Sequence, residues 1–274
     1  MKQILDCKAV RDFKLEQYVN EIKCMKTKPS MAVIQVGDRK DSTKYVNNKI
    51  AKCLDCGIEA TAHRLDEKIT TEELVEKVKE IQEGVSAIIV QCPLPKHISE
   101  KTVMSVINPY KDCDGLTRKN IGYLHDQNPI IIPATAQGIL DLIDYHKINV
   151  EGMDVLLIGR SNLVNRPLYE ALLQRNATPT LAHSKTKNLQ EKLSSGKYDM
   201  IVGAIGQCKF LRNVNTKYII DVGINVDENG KLHGDFDIES ANCEYYTTVP
   251  GGVGVLTVES VIGNIVKCHK LQYN

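Results

Sequence analysis

Apolar and polar positions follow two rhythms along this chain, and the rhythm switches repeatedly. MAVIQVG (31–37) is a short apolar run closed by glycine, the pattern of a buried strand. Residues 42–55 then take helical spacing, with Gly57 where a C-terminal cap belongs. EATAHRLD (59–66) reads as a second strand. Residues 70–83 set Leu74, Val75, Val78 and Ile81 on one helical face, with Thr70 or Thr71 as N-cap and glutamates in the first turn. SAIIVQCPLP (86–95) is a third strand running into a proline-rich loop. This alternation predicts a parallel sheet with helices on its faces.

Turn signals (PLP, NPY, DCDG, NPI, IPAT) crowd residues 91–135, and a helix over 136–148 is expected to bridge to a second alternation. That alternation has strands at 153–159, 178–184, 198–206 and 217–225, helices at 166–176 and 189–196, and a tail helix at 257–272. No repeat or low-complexity tract interrupts it. The expected fold is α/β in two domains with a cleft between them. The first is an N-terminal αβα domain of residues 1–136 plus 258–274, and the second a Rossmann-type domain of residues 137–257.

Composition changes this picture little. A chain of 274 residues with a formal net charge of +1 has no electrostatic case for nucleic acid or an anionic membrane as partner. No apolar run approaches the roughly 20 residues of a membrane span. The N-terminal stretch MKQILDCKAVRDFK carries charges throughout, so the cytosol is the expected location. The nine cysteines are scattered and odd in number, unlike a disulfide framework. Cys53 and Cys56 form the single C-x-x-C pair, with no second pair at metal spacing, and read as structural thiols. No metal site is expected.

Candidate chemistry begins at VLLIGRSNLVNRP. A strand ends at Gly159 and a helix opens near Pro167, which suits a first helical turn. Such a junction offers free backbone N–H groups and a helix dipole to a pyrophosphate, although it lacks the common G-x-G-x-x-G spacing. The next strand ends in His183-Ser184-Lys185, with no carboxylate for a ribose 2′-hydroxyl. With Arg160, Ser184 and Lys185 suit a 2′-phosphate, hence NADP rather than NAD. Upstream, Tyr45 and Lys49 stand four apart on one helical face, a weak signal when taken alone. The same Tyr-x-x-x-Lys spacing marks short-chain dehydrogenases, but there the nucleotide motif precedes the pair; here the order is reversed.

Six blocks in order resemble the bifunctional methylenetetrahydrofolate dehydrogenase/methenyltetrahydrofolate cyclohydrolase family over nearly the whole chain. They are VGDRKDSTKYVNNKIAKCLDCGI, then VQCPLPKHIS with INPYKDCDGLTRKNIG, IGRSNLVNRP, AHSKT, IIDVGIN with GDFD, and VPGGVGVLT. The resemblance implies that the N-terminal domain binds folate and the Rossmann-type domain binds NADP. It implies hydride transfer from 5,10-methylenetetrahydrofolate to NADP, then hydrolysis of the methenyl cation to 10-formyltetrahydrofolate. That chemistry supplies one-carbon units for purines, amino acids and formylated initiator tRNA. A homodimer is carried over from the family.

By the same resemblance, Lys49 is the acid/base and water-orienting group. Desolvation and a cationic substrate would both draw its pKa towards neutrality. Tyr45 would stack on the folate ring, and Gln91 would hold the lysine. Asp114 would bind the aminopyrimidine edge of the pterin, whose adjacent N–H donors suit a carboxylate; Asp112 is the neighbouring alternative for that role, unless it only caps the turn. Pro250, Gly251 and Gly254 would form a close backbone loop between folate and nicotinamide. Gly159, Arg160, Ser161, Ser184, Lys185, Ile224 and Thr257 would contact the cofactor.

The chain departs from the family pattern at four places. Asn165 stands where glycine is usual, PATA (133–136) replaces PCTP, GVGVLT (252–257) replaces GVGPMT, and Cys92 replaces leucine. These changes gather towards the cofactor side. The alternative readings are therefore a cyclohydrolase with weak or lost dehydrogenase activity and, further off, a non-catalytic folate-binding protein.

Overall fold

A computed structural model describes residues 2–273; Met1 and Asn274, the ends of the expected first domain, lie outside the described residues. The chain forms two compact units, one of Phe13–Ala134 with Val258–Asn274 and one of Met1–Asp12 with Thr135–Thr257.

The chain begins with β1 (Gln3–Ile4) and α1 (Cys7–Lys23), for which the apolar pattern gives no warning. The buried residues of α1 are Cys7, Val10, Leu15 and Ile22, a spacing too irregular to announce a helix. The helix starts where the Asp6 carboxylate accepts the N–H of Lys8 at 2.9 Å and of Ala9 at 3.1 Å.

The unit built on Phe13–Ala134 follows the expected alternation: β2 (Ser30–Val36), α2 (Lys40–Asp55), β3 (Glu59–Leu65), α3 (Thr71–Glu83) and β4 (Ala87–Val90). The three strands form a parallel sheet in the order β3-β2-β4. β2 is central and its core positions are fully buried, whereas β3 lies at the edge with mostly exposed residues. Thr70 is the N-cap of α3. Its hydroxyl accepts from Glu73 N at 3.2 Å while the Glu73 carboxylate accepts from Thr70 N at 2.8 Å, closing a capping box. Leu74 and Val78 are buried beneath that helix. Gly57 has φ +83°, the left-handed conformation a helix terminator needs.

The turn-rich region contains two short helices, α4 (Glu100–Ser105) and α5 (Arg118–His125), each capped by the preceding hydroxyl residue, Ser99 and Thr117. They are too short to give a readable period amid the prolines and asparagines.

The second alternation comprises α6 (Ala134–Tyr145), β5 (Asp154–Ile158), α7 (Asn165–Leu173), β6 (Thr178–Ala182), α8 (Leu189–Ser194), β7 (Met200–Gly203) and β8 (Tyr218–Asp221). A small antiparallel pair, β9 (Asn225–Val226) with β10 (Leu232–His233), and β11 (Tyr245–Tyr246) precede the long α9 (Val253–Tyr273). The main sheet has six strands, all parallel, in the order β1-β11-β8-β7-β5-β6. The order reverses around β5, the point at which open α/β sheets bind ligands beyond their strand ends. The two-residue β1 thus joins the sheet of the other half of the sequence, pairing with β11 some 240 positions downstream (Gln3 with Tyr245).

Candidate active site

In the three-stranded unit, Lys49 projects from α2 and Gln91 follows the last residue of β4. Lys49 Nζ donates to Gln91 Oε1 at 3.2 Å. Gln91 is itself anchored: its backbone N–H bonds Ile34 O at 2.8 Å and its Nε2 donates to Cys92 O at 2.8 Å. The acceptor oxygen is therefore aimed before any ligand arrives.

The segment before Asp114 runs beside the same strand, with Ile88 bridged to Asp112 and Ile88 N bonded to Lys111 O at 2.8 Å. Burial pushes the Asp114 carboxyl above the usual carboxylate range, while the Lys49 ammonium pulls it back down. Lys49, Gln91 and Asp114 thus meet at the carboxyl end of β4. Asp112 acts elsewhere. It is buried, and its Oδ2 accepts from Thr117 N at 2.7 Å and Asn120 Nδ2 at 2.8 Å, fixing the start of α5. Tyr45, one turn before Lys49, is 58 % exposed. Burial pushes the Cys53 and Cys92 thiols up to about 12, which disfavours their thiolates.

In the six-stranded unit, Gly159 ends β5 with φ +118°. A Cβ there would lie 2.5 Å from Ala204 O and 3.0 Å from Asn165 Nδ2, so only glycine fits. Arg160 and Ser161 are exposed on the turn that follows. Ile158 pairs with Ala182, so Arg160 and Ser184 each lie two residues past matched strand ends. The turn carrying Ser184 and Lys185 is held by His183, whose Nδ1 accepts from Lys185 N at 3.1 Å and whose carbonyl accepts from Thr186 N at 2.8 Å. Both side chains on it are exposed, as a phosphate site requires.

Asn165 replaces the family's usual glycine without taking a positive φ. It is the first residue of α7 and is 0 % exposed. Its Nδ2 donates to Ile158 O at 2.8 Å and reaches Gly159 O at 3.3 Å. The larger side chain is turned down against the strand end, so it does not cover the helix N-terminus.

Ile224 is 53 % exposed past the end of β8, and a Cβ on Gly254 would come within 3.3 Å of its Cδ1. Gly251 has φ +86° and follows the exposed Pro250. Thr257 Oγ1 lies 3.1 Å from Thr135 Oγ1, a partner that the motif pattern does not single out. Nor does that pattern single out two buried carboxylates, Asp221 and Asp235, although the motifs holding them are visible as IIDVGIN and GDFD.

A glycine turn at the switch point of a parallel sheet, with cations at the next strand end, defines a nicotinamide-dinucleotide-binding unit. The other unit carries an amine, an amide and a carboxylate at one strand end. The chain belongs to the tetrahydrofolate dehydrogenase/cyclohydrolase family: residues 5–114 match its catalytic domain and residues 133–273 its NAD(P)-binding domain. Among similar proteins, the bifunctional protein FolD of Streptococcus uberis is 40 % identical over 273 residues, covering 96 % of this chain and 95 % of that one. FolD of Acetivibrio thermocellus is 40 % identical, covering 98 % and 95 %. The bifunctional FolD methylenetetrahydrofolate dehydrogenase/cyclohydrolase structure from Campylobacter jejuni superposes with a TM-score of 0.95 at 35 % identity, covering 99 % of this chain and 100 % of that one. The Trypanosoma brucei enzyme, solved with NADP cofactor and inhibitor, gives 0.89 at 30 % identity, covering 99 % and 98 %.

Proposed function

We propose that this chain oxidises 5,10-methylenetetrahydrofolate to the methenyl cation with NADP and hydrolyses that cation to 10-formyltetrahydrofolate. Family membership across both domains supports the pair of reactions. The Lys49–Gln91 contact of 3.2 Å carries the assignment of the hydrolysis.

Water adding to the methenyl carbon gives up both of its protons as the formyl C=O forms: one ends on the ring nitrogen that leaves as the ring opens, and the other is released, which discharges the cation. Lys49, held in place by Gln91, orients that water and relays the proton. Tyr45 offers its exposed face to the folate ring, and Asp114 accepts the paired N–H groups of the pterin edge.

The other unit fits the cofactor: Gly159 leaves room for close approach, and the amide of Asn165 lies beneath the turn. Gly159 and Ser161 would take the pyrophosphate, and Arg160, Ser184 and Lys185 the 2′-phosphate. Ile224, Thr257 and the loop of Pro250, Gly251 and Gly254 would contact the nicotinamide end. The chemistry that NADP supplies when bound is acceptance of hydride from the methylene carbon. The orientation of Asn165 weakens one of the grounds for expecting a hydrolase without dehydrogenase activity.

A homodimer in the cytosol completes the reading. The exposed edge strand β3 has unpaired ladder groups that a second copy could satisfy. All nine cysteines are free thiols, in keeping with a reducing compartment. No helix among the described residues is long and apolar enough to cross a membrane. Light scattering that gave the monomer mass would refute the dimer.

The deciding assay supplies 5,10-methylenetetrahydrofolate with NADP, then with NAD, and follows reduced nucleotide and methenyl substrate separately. Reduction with NADP together with rapid loss of added methenyl substrate is the expected result. Loss of methenyl substrate with no reduction on either nucleotide would overturn the dehydrogenase half.

A further inference from the structure

Asp235 is 0 % exposed, and among the described residues no lysine or arginine side chain bonds it. Its partners are instead the N–H groups of three successive residues in the loop after β7. Oδ2 accepts from Ile205 N at 2.6 Å and Gly206 N at 3.2 Å, and Oδ1 accepts from Gln207 N at 2.8 Å. Oδ1 also accepts from Asn225 Nδ2 at 3.1 Å, which ties in the loop after β8.

Asp221, at the end of β8, holds Asp235 in turn. Asp221 Oδ1 accepts from Asp235 N at 2.9 Å and Gly223 N at 3.0 Å, and its Oδ2 accepts from Phe236 N at 3.1 Å. The two carboxylates are interlocked through glycines. A Cβ on Gly234 would lie 1.8 Å from Asp221 Oδ2, and one on Gly223 would lie 2.3 Å from the Asp235 carboxyl.

The loop after β7 lies beside the dinucleotide turn. Ala204 N bonds Ile158 O at 2.9 Å, and the carbonyl of Ala204 faces Gly159 closely enough to exclude any Cβ there. The loop after β8 carries Ile224, against Gly254. One carboxylate therefore sets the floor beneath the phosphate turn and the loop beside the nicotinamide end. A carboxylate suits this position because it offers several acceptor sites and no donor; an amide would turn an N–H towards one of the converging N–H groups. Four N–H donors converging on one carboxylate from two loops fix those loops relative to each other.

We propose that Asp235, held by Asp221, is a positioning residue for the nicotinamide dinucleotide: its carboxylate fixes the loops after β7 and β8 in the arrangement that the cofactor requires. The inference rests on the NADP reading above.

The test is Asp235→Asn, with KM for NADP, kcat of the dehydrogenase and the cofactor-independent hydrolysis of methenyltetrahydrofolate measured side by side. A stranded loop donor should raise KM for NADP roughly tenfold. KM for folate and the hydrolysis rate should stay within about twofold. Asn225→Ala removes one side-chain donor at a half-buried position and covers the case in which Asp235→Asn does not fold; it should raise KM for NADP about threefold. Equal losses in both activities, with KM for NADP unchanged in either soluble variant, would make the network merely structural and overturn the proposal. Wild-type protein that reduces no nucleotide would instead sink the NADP reading itself.

Discussion

Replacing Lys49 with methionine is the sharpest perturbation of the hydrolysis. Methionine retains most of the unbranched stem and removes only the ammonium. The lost contact is a single hydrogen bond of 3.2 Å from a half-buried side chain to Gln91 Oε1. Gln91 keeps its bonds to Ile34 O and Cys92 O, so the strand end should not move. The stability cost should therefore be about 1 kcal/mol, or a Tm fall of roughly 2–4 °C for a protein of this size. The chemical cost should be far larger. A positioned proton-transfer group contributes about 10²–10⁴ in rate, equivalent to roughly 3–5 kcal/mol of barrier. Loss of the ammonium also removes the charge that pulls the Asp114 carboxyl down, so that carboxyl should take up a proton at higher pH in the variant. The assay is stopped-flow decay of methenyltetrahydrofolate without nucleotide, with folate affinity measured by fluorescence titration. Hydrolysis collapses while folate still binds, if the reasoning holds. A rate within about threefold of wild type would refute the role of Lys49, and loss of folate binding together with a large Tm fall would show that the side chain is structural.

Three further outcomes are expected. Arg160→Ala with Lys185→Ala should shrink the NADP-over-NAD preference by roughly tenfold or more, since each removes a charge-assisted bond to the 2′-phosphate; an unchanged ratio of kcat/KM values would place that phosphate elsewhere. Gly203→Ala would bring a Cβ within 2.4 Å of Phe236 Cε2 and 2.9 Å of Leu211 Cδ1, so overpacking should cost about 1–3 kcal/mol, readable as a lower denaturant midpoint at an unchanged slope. Burial, with Asp235 as the facing carboxylate, raises Asp221 from 3.8 to about 6. The folded state therefore binds this proton more tightly than the unfolded state, and the group's stability contribution is present at low pH and lost as pH rises through about 6. The Tm of wild type minus that of Asp221→Asn should accordingly be larger near pH 5 than at pH 7.5, and a pH-independent difference would contradict the raised carboxyl.

The dinucleotide turn shows how far the chain could be read. Gly159 was marked by its place between a strand and a helix, and the structure gives it a conformation and a neighbour that exclude any Cβ. Asn165 was equally visible as a departure, yet its effect was not. Whether an asparagine at a helix start covers a phosphate site or caps the strand beneath depends on its rotamer, and that rotamer is chosen by the carbonyls of Ile158 and Gly159. Asp112 and Asp114 make the same point. Two residues apart in one motif, one is consumed in holding α5 and the other remains beside Lys49.

Hydrophobic rhythm, capping residues and ordered motif blocks determined by themselves the two strand–helix alternations, the parallel sheets they build, the family and most of the candidate residues. These features are local, because an apolar period and a cap act within a few residues of their own position. Strand order, the recruitment of β1 to the distant β11, the downward turn of Asn165 and the carboxylate relay from Asp221 to Asp235 were decided only by the tertiary structure. Each depends on which polar groups meet across long sequence separations once the core closes. Burial then makes satisfaction of those groups obligatory, and no local period records that demand.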